Sequence, residues 1–135
     1  MEDCIFCKII RGDIPAEKIY GDDAVFAFLD IHPVNYGHTL VVPKKHAENI
    51  YDISKEEFAK VMERVHMLAP KIKEAIGADG INIGMNNDPA AGQLVFHAHI
   101  HIIPRFENDG HRHWHGEPYK EGEVEATAKK IRGII

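Results

Sequence analysis

Three histidines stand two residues apart in His97-Ala98-His99-Ile100-His101, and the run turns fully apolar in Ile102-Ile103 before Pro104. Period-two alternation reads as a strand with one face inward. On such a strand the three imidazoles share one side, about 7 Å apart for each two-residue step. They add nothing to packing that Val or Thr would not do better. They can supply a nucleophile, a general acid or base, donors to an anion, or metal ligands. His99, in the middle, is the candidate nucleophile, because a neutral imidazole can attack phosphorus and split one hard displacement into two easier ones. His101 and the upstream His38 can donate to phosphate oxygens or shuttle a leaving-group proton. The competing reading is a structural metal site made of the triplet, although three ligands in a row on a strand diverge too far for tight tetrahedral binding.

Other groups could serve such a centre. The stretch Asn86-Asn87-Asp88-Pro89-Ala90-Ala91-Gly92-Gln93 is turn chemistry. It can be a plain connection, or a loop whose backbone N–H groups approach an anion at Gly92 and Gln93. Asp30 ends a strand expected beside the histidine strand; there a carboxylate binds ribose hydroxyls or caps a turn, and Asn86 carries the same ambiguity. Cys4 and Cys7 form a C-x-x-C, which can be half a zinc site or two inert reduced thiols. For zinc, His46 and His97 are the partners that leave His99 and His101 free, and four protein ligands make a structural site. Lys44 and Lys45 read as a solvated turn. His111, His113 and His115 read as a polar surface loop with no assigned chemistry.

A chain of 135 residues fits one domain with a real core. The formal net charge of −5 argues against nonspecific nucleic-acid binding. There is no apolar run of transmembrane length. The acidic start Met1-Glu2-Asp3 is not that of a signal peptide. The expectation is a cytoplasmic protein without a membrane or nucleic-acid partner.

The elements that must position these groups can be read in order. Residues 3–11 form a short helix with Cys4 and Cys7 on one face. Strands are expected at 18–20, 24–29, 38–43 and 81–85, and then at the histidine run. Ser54 and Glu57 make a capping box that opens a long helix to about Ile76. Its stripe includes Val61, Val65, Leu68 and Ile72, Gly77 stops it, and Pro70 implies a kink. A last amphipathic helix runs from about Gly122 to Arg132. This order suggests an α+β fold, an antiparallel sheet with helices on one face.

His97-Ala98-His99-Ile100-His101-Ile102-Ile103 resembles the His-φ-His-φ-His-φ-φ pattern of the histidine triad (HIT) family. Phe28-Leu29-Asp30-Ile31-His32-Pro33, Gly37-His38-Thr39-Leu40-Val41-Val42-Pro43-Lys44, Gly92-Gln93 and Cys4-Ile5-Phe6-Cys7-Lys8-Ile9 resemble its other blocks, in the same order. The likeness spans about residues 4–106 of a single 1–135 domain, with a C-terminal tail and helix in 107–135, and is nearest the Hint-like prokaryotic branch. It implies a five-stranded antiparallel sheet with one long helix and short terminal helices, pairing as a homodimer into a ten-stranded sheet. The implied activity is hydrolysis at the α-phosphate of a purine nucleotide, of the nucleoside phosphoramidase type, through a nucleotidyl-His99 intermediate. Dinucleoside polyphosphate hydrolysis and a weakly active nucleotide-binding scaffold are the alternatives. His101 and His38 would support His99 in catalysis. Asp30, Asn86, Gly92, Gln93, His99 and His101 would bind nucleotide, and Phe6, Ile9 and Leu29 would wall the base. Structural zinc would sit on Cys4, Cys7, His46 and His97, with no organic cofactor. Many Hint-like proteins carry a phosphate-binding hydroxyl two residues after the loop glycine; here that position is Leu94. The tail 108–115 has its own sequence; the resemblance implies that this region helps shape the leaving-group side, often from the neighbouring subunit, so the leaving group is not readable here.

Overall fold

The computed structural model describes residues 3–135. Met1 and Glu2, part of the acidic start noted above, lie outside the described residues.

Helix α1 (Ile5–Arg11) is followed by strands β1 (Lys18–Gly21), β2 (Val25–Leu29) and β3 (Thr39–Pro43), helix α2 (Lys55–Ile76), strands β4 (Gly80–Gly84) and β5 (Ile100–Arg105), and helix α3 (Glu123–Arg132). The strands make one antiparallel sheet in the order β1-β2-β3-β5-β4. The expected α+β architecture is present. One adjacency differs: β3, not β2, lies beside β5, so Asp30 ends a strand two places from the histidine strand. A hairpin-like run of short connections pairs β2 with β3, and β5 then returns antiparallel along β3's other edge.

The two faces of the sheet have different tenants. Val25, Ala27, Val41, Ile100 and Ile102 point to α2 and meet Val61, Val65, Leu68 and Ile72. Those α2 residues recur at four, three and four, one stripe of a 3.6-residue helix; each such buried side chain contributes about 1.5–3 kcal/mol. Ser54 Oγ accepts the Glu57 N–H, and Gly77 closes the helix in the left-handed region. Only half of the capping box forms, because the Glu57 carboxylate pairs with Lys60 at 3.3 Å. The helix runs through Pro70 without a break. On the opposite face Phe28, Leu40 and Val42 pack with Phe6 of α1. His101 is the cross-strand partner of Leu40, so its ring belongs to this second face, away from α2. No helix among the described residues is long and apolar enough to cross a membrane.

The turn into β3 is a tight place in the fold. Gly37 has φ +94°, and a Cβ there would lie 2.7 Å from Ile76 Cγ1 and 3.2 Å from Pro104 Cγ. A glycine is required both by the backbone and by the close approach of α2's last turn. Gly37→Ala is expected to cost about 1–3 kcal/mol, read as a lower urea midpoint with an unchanged m-value. It should also disturb His38, the next residue.

Candidate active site and metal centre

The triplet is not a uniform strand. β5 begins at Ile100, so His101 alone sits in the sheet ladder. His97 and His99 precede it, where Ala98 N–H donates to Ala47 O at 2.7 Å instead of to a ladder partner. This is a correction to the expected strand over His97–Ile103, and it has a consequence for the rings. His97 turns to His46, with ring centroids 4.9 Å apart. His99 and His101 face each other at 5.0 Å.

Backbone carbonyls fix the tautomers. His97 Nε2–H donates to Pro43 O at 2.7 Å, which leaves the lone pair on Nδ1. His99 Nδ1–H donates to His97 O at 2.7 Å, which leaves the lone pair on Nε2. Phe6 holds the His99 ring edge-on at 5.1 Å. A buried imidazole with an oriented, unprotonated Nε2 is a nucleophile that needs no base to activate it.

A second chain of bonds fixes the other pair. Val34 N–H donates to His38 Nδ1 at 3.1 Å. His38 Nε2 must then carry its proton, and it donates to His101 Nδ1 at 2.9 Å. His101 is left with its N–H on Nε2. That atom is buried and has no partner among the described residues. A buried donor without an acceptor costs about 1–3 kcal/mol, and such a group beside a nucleophile suits an anionic oxygen. Asp30 Oδ2 lies 3.8 Å from His38 Nε2, while its other oxygen accepts the His32 N–H.

The loop residues divide by role. Gly92, at φ +92°, sits against Asn86, whose Nδ2 would lie 3.7 Å from a Cβ at position 92. Asn86 shares a cavity of about 570 Å³ with His38 and His101. Gln93 is buried, and its side chain is fully engaged: Oε1 accepts Asp88 N–H, and Nε2 donates to Glu48 O and Val95 O. Its amide shapes the loop, and its backbone is what remains for an anion. Leu94 is 88% exposed and points into solvent. Leu29 lines an apolar groove with Met67 and Ile72 on the α2 face, so it is no wall of the histidine site. Phe6 lies beneath the rings of His97 and His99, and Ile9 packs on the Phe28 cluster.

The tail's own residues do not mark it as part of the site; only the family resemblance places this region near the leaving group. His111, Arg112, His113 and Trp114 line the same cavity as His38 and His101, although they read as a surface loop. Nothing local marks them; the contact is made across the sheet with β4.

Four further donors converge nearby. Cys4 Sγ and Cys7 Sγ lie 3.4 and 3.5 Å from His97 Nδ1, Cys7 Sγ lies 3.4 Å from His46 Nδ1, and the two Nδ1 atoms are 3.2 Å apart. All four ligand atoms lie within 4.8 Å of one another. Two thiols and two imidazole nitrogens suit zinc. The Nδ1 lone pair that Pro43 leaves to His97 faces the thiols, the outer-shell arrangement typical of a ligating histidine. Burial pushes the Cys7 thiol up.

A family model described as the HIT domain matches residues 11–108. A crystal structure of a HIT family member from Bacillus subtilis superposes with a TM-score of 0.90 at 42% identity, covering 98% of this chain and 97% of that one. The adenosine 5′-monophosphoramidase hnt1 of Schizosaccharomyces pombe is 39% identical over 98% of each chain. The adenylylsulfatase HINT3 of Arabidopsis thaliana is 44% identical over 79% of this chain and 54% of its own. The fold and the histidine site define a histidine triad protein. This chain belongs to the HIT family.

Burial holds the imidazoles neutral. It pushes His97 and His101 down to about 4, with neighbouring histidines adding to the effect, and it lowers His38 and His99 as well. Their unfolded values lie near 6.5. Between about pH 4 and 6.5 the unfolded chain therefore binds more protons than the folded one. The folded state's advantage is full above pH 6.5 or so and is lost as pH falls through that window. Urea midpoints should drop from pH 7.5 to pH 5, and His101→Gln should flatten the drop.

Proposed function

We propose that the chain is a nucleotide hydrolase acting at an α-phosphate, of the nucleoside phosphoramidase type, with His99 as nucleophile. The observation that carries this reading is the pairing of an unprotonated His99 Nε2 with an unpartnered His101 N–H at adjoining rings. The printed activities of the Schizosaccharomyces and Arabidopsis relatives support it.

In this reading His99 Nε2 attacks the α-phosphorus and forms a P–N bond. The bond to the leaving amine breaks; the amine takes the electron pair and a proton from solvent. His101 Nε2–H donates to a phosphoryl oxygen as charge gathers there, and His38 keeps His101 in that tautomer. Water then attacks phosphorus and gives up a proton to solvent, the P–Nε2 bond breaks with its electron pair returning to His99, and the nucleoside monophosphate leaves. Asp30 offers its carboxylate to ribose hydroxyls. Asn86 and the backbone at Gly92 and Gln93 line the phosphates.

The reading extends to a structural zinc on Cys4, Cys7, His46 and His97. Its closed set of four ligands would stabilise the fold and supply no chemistry to the reaction. Reduced thiols of this kind suit a cytoplasmic location. A homodimer through the open β4 edge is part of the same proposal, supported by that strand's exposed Ile83 and unpaired edge. A purine nucleotide is the substrate class; membranes and nucleic acids are not partners in this reading.

AMP release from adenosine 5′-phosphoramidate should be lost by at least about a thousandfold in His99→Ala while AMP still binds. Dinucleoside polyphosphates turned over faster than the phosphoramidate would assign the protein to the dinucleotide branch. Retained turnover in His99→Ala would remove the nucleophile assignment. Metal analysis of the purified chain should find about one zinc per chain. Cys7→Ser should lose the metal and lower the unfolding temperature, whereas His101→Asn should keep it.

A further inference from the structure

The loop between β4 and β5 holds one residue in a conformation that its side chain resists. Asp88 has φ 74° and ψ 153°, a region that is essentially glycine's alone. Such a residue persists only where its surroundings over-determine it. Two of the bonds that do so lie within the loop. Asp88 N–H donates to Gln93 Oε1 at 2.9 Å, and Asp88 O accepts the Ala91 N–H at 3.1 Å. A further bond comes from outside: Asn87 Oδ1 accepts the Ile50 N–H at 2.8 Å, across 37 residues of chain.

Ile50 belongs to a segment that closes on itself. Asn49 Oδ1 accepts the N–H groups of Tyr51 and Asp52, Ile53 N–H donates to Asn49 O, and Asp52 Oδ2 accepts the Glu48 N–H. The same segment is moored to the site. Ala98 N–H donates to Ala47 O at 2.7 Å, and Gln93 Nε2 donates to Glu48 O at 2.6 Å. A turn fixed both within itself and to the histidine run is a rigid anchor, so the bond at Asn87 sets a position rather than follows one.

Asn87 stands between Asn86 and the strained residue. Asn86 lines the cavity of His38 and His101, and Gly92 sits against its amide. Asn87 itself is not one of the described residues that line this cavity. With the Ile50 bond cut, rotation at Asn87 lets Asp88 leave its strained region, and the Asn86 amide turns with it. We propose that Asn87 is a positioning residue for nucleotide affinity, whose bond to Ile50 holds the loop in the strained form that presents Asn86 to the phosphate. This rests on the hydrolase reading above.

The test uses the full chain with Asn87→Ala, Asp88→Gly and the double variant. Calorimetry gives AMP affinity, adenosine 5′-phosphoramidate gives turnover, and hydrogen exchange at the Ile50 amide reports the joint. Asn87→Ala should raise the AMP Kd and the KM about tenfold, keep kcat within about twofold, and speed exchange at Ile50. Asn87→Asp keeps an acceptor for Ile50 and should keep exchange there slow. Glycine adopts the Asp88 conformation without strain. Asp88→Gly alone should therefore stay within about threefold of wild type, and in its background Asn87→Ala should cost less than about threefold. Should Asn87→Ala fold poorly, the double variant, relieved of the strain, is compared with Asp88→Gly in its place. An unchanged AMP Kd in Asn87→Ala, a loss that persists undiminished in the Asp88→Gly background, or a fall in kcat matching the rise in KM overturns the proposal. A chain that binds AMP without turnover removes the hydrolase reading alone, and the Kd values still decide the role of Asn87. A wild-type chain that does not bind AMP removes both.

Discussion

The bond from His97 Nε2 to the Pro43 carbonyl orients both centres of this protein. It fixes the tautomer of His97, which aims Nδ1 at the two thiols. It also anchors the segment whose next carbonyl, that of His97, receives the proton of His99. The candidate metal cluster and the candidate nucleophile are thus set by one residue, seen from its two ends. The side chain serves the cysteines and the main chain serves the chemistry. A metal on His97 would stiffen the carbonyl that holds His99.

The sheet separates what must be dry from what must be reached. Ile100 and Ile102 face α2 and build the larger core, and His101, between them, faces the other way. The alternation of one strand supplies both duties. On the site side α1 contributes Phe6, which packs at once on Phe28, His97 and His99. The rings are held by apolar edges and by backbone carbonyls, and this burial keeps them uncharged.

Much of this was legible in the sequence because it is local. Ser54, the stripe through Ile72, and Gly77 announce α2 through capping and period alone. The Cys4, Cys7, His46 and His97 set follows from donor types and from the wish to leave two histidines free, and the structure brings all four together. What was not legible depends on neighbours distant in the chain. Ala98 bonds to Ala47 rather than to a ladder, so the strand starts three residues later than alternation implies. β3 intrudes between β2 and β5, which moves Asp30. Glu107-Asn108-Asp109-Gly110 shows only polarity in the sequence, since nothing in it says that Asn35 and Arg105 will converge on Asp109. The tail's place in the cavity has the same cause: His111–Trp114 meet His38 across more than seventy residues of chain.

Of the hydrogen bonds that fix the four histidine tautomers discussed here, those of His38 Nδ1, His97 and His99 end on backbone groups, the N–H of Val34 and the carbonyls of Pro43 and His97. Sequence drift can replace side chains around the site, but it cannot delete a peptide group. Orientation is therefore inherited with the path of the chain, and side chains such as Val34 are free to vary so long as that path holds. The vulnerable points are those where the path itself depends on a residue type, and Gly37, wedged against α2 just before His38, is the plainest of them.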